Sequence, residues 1–240
     1  MSWLSRTELL LGKNDLEYLK KCHVLVVGLG GVGAYAAEML CRAGIGRLTI
    51  VDGDAVEESN INRQLPATRS NIGKMKADIL ASRFLDINPE LQLEVINEYL
   101  KDERMKEVLK MAAYDYVVDA IDTLAPKVYL IYHSIQLKLR IVSSMGAGGK
   151  MNPGLVQSTD LSNSYNCKLA RMIRKRLGKL GIRKGITVVF SPEEVPDEAV
   201  KAEEGQNKKS AVGTISYLPA VFGCHMAAVV INNLLASNQQ

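Results

Sequence analysis

Short apolar runs and longer amphipathic stretches take turns along the first 145 residues. Residues 24–27 form a continuous apolar run, followed at once by Gly28-Leu29-Gly30-Gly31-Val32-Gly33. A helical pattern then covers 35–43 until Gly44 stops it, and a β-rich run at 48–51 ends at Asp52. That is a βαβ unit. Further helices are predicted at 74–85, 104–111 and 126–139, and further strands at 91–96, 116–118 and 141–144. Pro126 suits the first turn of its helix, where its missing N–H is not needed. Such alternation predicts an α/β, Rossmann-like fold with a mostly parallel sheet and helices on both faces.

After Met145 the grammar changes. Gly146, Gly148, Gly149, Pro153 and Gly154 make a turn-rich segment. Strands are expected at 156–159 and 187–190 around a helix at 168–180, a mixed C-terminal extension of the sheet. Residues 192–213 are polar, charged and poor in pattern, and read as a mobile loop. An apolar helix returns at 219–235. The stretch 215–235 is the one candidate membrane segment, but Pro219, Gly223, His225, Asn232 and Asn233 would be costly in lipid. A buried helix is expected there, and no membrane span.

Composition changes this picture little. The 240 residues are 47% hydrophobic and 23% charged, with a net charge of +4, ordinary for a soluble globular chain. Cys22, Cys41, Cys167 and Cys224 form no C-x-x-C pair, so no four-thiolate zinc is expected. With no signal peptide in the sequence, the expected setting is the reducing cytoplasm. Cys167 reads as an ordinary helix-start cysteine rather than a nucleophile, and Cys224 as core.

The candidate chemistry starts at the glycines. Gly28 allows a tight turn, Gly30 lets backbone approach a phosphate, and Gly33 lets helix and strand pack closely. The helix start offers free N–H groups to an anion. Asp52, at the end of the next strand, is placed to bond ribose hydroxyls. The pattern points to a nucleotide and leaves NAD or FAD against ATP. The following segment favours ATP. Cleavage between α- and β-phosphates builds charge on the leaving pyrophosphate, and fixed cations there lower the barrier. Arg63 and Lys76 are such cations. Asp122, at a strand end on the same edge, is a candidate Mg²⁺ ligand.

The joint set Gly28–Gly33 with Gly31, Val51-Asp52-Gly53-Asp54, Ser59-Asn60-Ile61-Asn62-Arg63-Gln64, Gly73-Lys74-Met75-Lys76 and Asp119-Ala120-Ile121-Asp122 resembles the adenylation core of the ubiquitin-activating-enzyme-like (ThiF/MoeB/HesA) superfamily. The resemblance implies one adenylation domain over 1–240. It implies that Asp52 takes the ATP ribose, that Asp54 belongs to the ATP site, that Asn60, Arg63 and Lys76 take the phosphates, and that Asp122 supports Mg²⁺. Arg6 matches an arginine that such enzymes insert into a partner subunit's site, which implies a homodimer.

The block from Gly146 to Gly154, the following 156–161 segment, the basic helix and Val188-Val189-Phe190-Ser191-Pro192-Glu193 look like the tRNA threonylcarbamoyladenosine dehydratase branch of that superfamily. What this implies is ATP-dependent cyclisation of threonylcarbamoyladenosine next to the anticodon, through adenylation of its threonyl carboxylate. In the basic helix, Leu169, Met172, Ile173, Leu177 and Leu180 fall on one apolar face. Lys168, Arg171, Arg174, Lys175, Arg176 and Lys179 crowd the rest, with Arg183 and Lys184 beyond, a candidate phosphate-backbone footprint for tRNA. Activation of a sulfur-carrier or ubiquitin-like protein through its C-terminal carboxylate would use the same ATP site, and a NAD-dependent oxidoreductase is the alternative from another class. The sequence leaves open a monovalent cation at the 146–149 turn and docking of a cysteine desulfurase/sulfur-acceptor system.

Overall fold

In a computed structural model that describes residues 2–202 and 210–238, two short helices, α1 (Ser5–Leu11) and α2 (Lys13–Leu19), precede the first strand. The chain then alternates through β1 (His23–Val27), α3 (Gly33–Arg42), β2 (Arg47–Val51), α4 (Lys76–Ile87), β3 (Gln92–Ile96), α5 (Asp102–Lys110), β4 (Tyr116–Asp119), α6 (Leu124–Gln136) and β5 (Ile141–Ser144). It continues with β6 (Gln157–Asp160), α7 (Lys168–Lys179), β7 (Thr187–Phe190), the hairpin β8 (Val200–Ala202) and β9 (Ser210–Val212), and α8 (Tyr217–Asn238).

Seven strands form one sheet in the order β3-β2-β1-β4-β5-β7-β6. All pairs are parallel except β6 with β7. The central strands are apolar because both their faces are covered: β4 and β5 are buried along their whole length. One core layer joins Leu40, Phe84, Phe222 and Met226 from α3, α4 and α8. The other joins Met105, Ile131, Ile173 and Leu177 from α5, α6 and α7.

The α/β reading holds, with the mixed extension supplied by antiparallel β6. Local boundaries differ. Helix α4 starts at Lys76, because 74–75 are held by pairing of Ala55 with Met75 and by the Val56 N–H on the Lys74 carbonyl. Helix α6 starts at Leu124, so Pro126 stands third, still within the turn that has free N–H groups. In the segment read as patternless between 192 and 213, a 3-10 turn and the β8–β9 pair occur. Residues 203–209 of that segment lie outside the described residues. Helix α8 is long and apolar enough by composition to cross a membrane, and half of its apolar window is buried in the protein. The core helix expected there packs through Phe222, Met226, Val230 and Leu234.

Candidate functional site

The strand order reverses between β1 and β4, so the loops leaving their carboxyl ends diverge and open a crevice. The glycine loop follows β1 there. Gly28 has φ +89°, and a Cβ on it would lie 2.8 Å from the Ala120 carbonyl oxygen. A Cβ on Gly33, the first residue of α3, would lie 1.8 Å from the Gly28 oxygen. Both positions demand glycine. A Cβ on Gly31 would lie 2.9 Å from the Pro219 side chain and 3.3 Å from the Arg63 carbonyl oxygen. Gly30 differs: its nearest neighbour would be the Gln64 amide, at 3.7 Å. No protein atom among the described residues compels glycine at that position.

Asp52 is buried where β2 ends. Its Oδ2 accepts the Leu29 N–H at 2.5 Å, and its Oδ1 accepts the Asp54 N–H at 2.8 Å. Asp52 thus ties the glycine loop to the loop after β2. Burial pushes its carboxyl above the usual carboxylate range, and the Lys76 ammonium and the two N–H donors oppose that shift. Each oxygen keeps a further lone-pair direction for another donor.

Lys76 opens α4 and is 4% exposed, with Nζ 2.8 Å from Asp54 Oδ2. The Tyr99 phenol donates to the other oxygen of Asp54. That hydrogen bond, with burial second, pushes the Tyr99 hydroxyl up to about 12. Tyr99 lies beyond β3, the strand next to β2, and nothing in its local sequence marks it as part of a site.

Asn60 and Arg63 occupy the loop that follows. Asn60 Oδ1 accepts the Glu57 N–H, closing a reciprocal cap on a 3-10 turn, and its Nδ2 donates to Ser59 Oγ. Arg63 Nη1 donates to the Ser59 carbonyl at 2.8 Å and to Asn62 Oδ1 at 2.7 Å. Asn62 in turn donates to the Thr214 carbonyl, just before α8. The guanidinium is therefore held folded over its own turn.

Asp122 is exposed on the loop between β4 and α6. Beneath it lies a network the sequence did not reveal. The Lys127 ammonium and the Asp119 carboxylate are fully buried and 2.9 Å apart. Ser143 Oγ and the Ile121 N–H donate to Asp119, and Lys127 also donates to the Ile121 carbonyl at 2.8 Å. Burial pushes Asp119 up and Lys127 down, each partner opposing the other's shift. The pair pins the 119–122 turn. Among the described residues there is no group of three or more His, Cys, Asp or Glu side chains that could hold a metal ion. A Mg²⁺ ion at Asp122 would draw its other ligands from phosphates and water, as this ion commonly does.

Arg6 stands apart from this crevice. It is exposed on α1, and the Leu4 side chain just before α1 packs over Gly44, ahead of β2 and so at the opposite edge of the sheet. Leu9 and Leu10 on the same helix are 88% and 83% exposed.

On α7, Lys168, Arg171, Lys175, Arg176 and Lys179 are exposed. Arg174 is partly buried and donates to the Ser164 and Leu161 carbonyls at 2.6 and 3.1 Å, so it also fastens the loop before the helix. The expected apolar face is narrower than its sequence. Ala170, Ile173 and Leu177 are buried, whereas Met172 and Leu180 are exposed. Cys224, expected in the core, is exposed instead, while Cys167 is buried. A third buried lysine, Lys150, donates to the Ser191 and Glu193 carbonyls, and the Glu193 carboxylate accepts the Met151 and Asn152 N–H groups. These bonds hold the glycine-rich 146–154 segment against the end of β7.

The sequence profile of the ThiF family matches residues 4–240. The chain is 38% identical to the tRNA threonylcarbamoyladenosine dehydratase of Bacillus subtilis, over 96% of this chain and 94% of that protein. It is 35% identical to the Escherichia coli protein of the same name, over 98% of this chain and 95% of that one. A crystal structure of E. coli tRNA N6-threonylcarbamoyladenosine dehydratase, TcdA, in complex with ATP superposes with a TM-score of 0.90 at 33% identity, covering 98% of this chain and 95% of that chain.

Proposed function

This chain belongs to the ThiF family, and on that premise we propose that it is an ATP-dependent tRNA threonylcarbamoyladenosine dehydratase. A carboxylate oxygen of the threonyl group attacks the α-phosphorus of ATP and pyrophosphate leaves. Ring closure within the threonylcarbamoyl group then breaks the bond between the carboxyl carbon and the AMP oxygen. The nucleoside loses one water in all, and ATP becomes AMP and pyrophosphate.

The observation that carries the nucleotide half of this reading is the position of Gly30. A Cβ there would meet nothing nearer than the Gln64 amide at 3.7 Å, so no protein neighbour among the described residues requires that glycine, while Gly28, Gly31 and Gly33 are each required by one. An anion at Gly30 would meet free N–H groups at the start of α3. The substrate half rests on the likeness to the dehydratases along nearly the whole chain.

Roles follow from placement. Asp52, held by Leu29 and Asp54, is read as the ribose acceptor. Lys76 and Arg63 are read as the cations that stabilise charge on the leaving phosphates, with Asn60 shaping their loop. Asp122 is read as the protein ligand of Mg²⁺. Arg6, remote from the crevice of its own chain, is read as acting across a homodimer, and the exposed Leu9 and Leu10 beside it support an interface there. The exposed cations of α7 are read as contacts to tRNA phosphates, in the cytoplasm where tRNA is modified.

The test is mass analysis of tRNA nucleosides after incubation with the protein, ATP and Mg²⁺. Threonylcarbamoyladenosine should lose one water only when ATP is present. Unchanged nucleoside with intact ATP would exclude the reading.

A further inference from the structure

Helix α7 does not stay at the reactive edge. It enters beside Lys127, for which Cys167 at its start is an electrostatic neighbour, and Lys127 holds the turn that carries Asp122. It then runs back to the start of β7, which is parallel to β5 and through it to β4 and β1. Its C-terminal end therefore lies at the amino edge of the sheet. A helix of 12 residues covers about 18 Å.

At that far end the surface is concave. A groove of about 400 Å³ lies between the last two turns of α7 and the segment that leads into β7. Arg174, Lys175, Lys179 and Arg183 line it, over a floor that includes Leu161 and Ile186. None of these cations is in an ion pair with a described residue. Arg174 is fixed in place by the Ser164 and Leu161 carbonyls. The neighbouring carboxylate, Asp160, is occupied by the Ser162, Gly185 and Ile186 N–H groups. What remains is a concentrated positive charge with one preorganised guanidinium, and none of it is paired with a carboxylate among the described residues.

We infer that this groove is a phosphodiester subsite for the RNA backbone, several nucleotides away from the one that reacts. The inference rests on the proposed tRNA substrate and assigns the groove to binding, not chemistry. The exposed cations Lys168 and Arg171 at the near end and the groove at the far end make one track along α7, matched to a backbone that carries a charge at every nucleotide. The apolar floor suits shape and charge recognition, with no code of base edges.

The experiment compares the full-length wild type with Lys179→Glu/Arg183→Glu, and with Lys179→Gln/Arg183→Gln in case charge reversal disturbs folding. Binding of intact tRNA is measured against salt, and steady-state rates against tRNA concentration. The variants should raise the KM for tRNA by about tenfold, with the loss falling mainly on KM and not on kcat. The slope of log affinity against log salt should become shallower by about 1.5 units for two lost phosphate contacts. An unchanged KM and slope in a folded variant would overturn the inference while leaving the enzymatic reading intact. A wild type that shows no salt-dependent tRNA binding would instead sink the tRNA substrate itself.

Discussion

The Lys76 ammonium is buried at the first residue of α4 and lies 2.8 Å from Asp54, whose carboxylate is itself half open to solvent. The helix start fixes this cation beside the loop that follows β2. Lys76→Ala should lower pyrophosphate release by about a hundredfold or more, the range seen when one preorganised charge-stabilising group is lost. Its cost to stability should be of the order of 1 kcal/mol, because Asp54 is left solvated. A variant with normal pyrophosphate release would remove Lys76 from the chemistry.

Tyr99 reaches Asp54 from across the sheet edge, and Tyr99→Phe tests the hydroxyl while keeping the ring. The KM for ATP should rise about threefold to tenfold with little change in melting temperature, since one hydrogen bond to a charged group is removed. The bond also sets a pH signature. The Tyr99 hydroxyl is raised from about 10 to about 12 in the folded protein. Its contribution to stability is complete below pH 10 and is lost as pH climbs toward 12. Wild type should therefore lose more stability than Tyr99→Phe over that window in alkaline unfolding titrations; parallel curves would show that the bond has no thermodynamic weight.

The Lys127–Asp119 pair should be the most sensitive point of the crevice floor, as both side chains are fully buried. Lys127→Ala strands the Asp119 carboxylate and should cost about 3–5 kcal/mol in denaturant unfolding. Lys127→Met/Asp119→Leu, which removes both charges, should cost less than Lys127→Ala alone. Equal losses in the two proteins would show that packing, not charge, dominates there.

Asp122→Asn keeps the size of the side chain and removes its charge. Turnover should then need a much higher Mg²⁺ concentration, by about tenfold or more, since one carboxylate is the only protein ligand proposed. A superimposable Mg²⁺ titration would exclude the ligand role.

The elements that position the crevice were legible because their signals are local. An apolar run, a glycine turn and a helical period fall within 24–43, and the structure builds β1, the loop and α3 from them. What escaped was long-range or lacked a period. Tyr99 and Asp54 are 45 positions apart, and only the pairing of β2 with β3 brings them together. Lys127 sits in a helical pattern where a lysine reads as solvated, and its burial follows from Asp119 at the end of the neighbouring strand. Cys224 was misplaced because α8 is apolar on nearly every side, so its sequence does not say which face meets α3. On α7 the opposite error arose: Met172 and Leu180 share the apolar period but flank a stripe only as wide as Ala170, Ile173 and Leu177.

Pro219 of α8 touches Gly31, and Thr214, just ahead of that helix, accepts a hydrogen bond from the loop that carries Arg63. The last helix is thus a buttress for the nucleotide end, although it brings no reactive group of its own. Trimming the protein before residue 217 would not yield a smaller catalyst; the glycine turn would lose the Pro219 side chain it leans on.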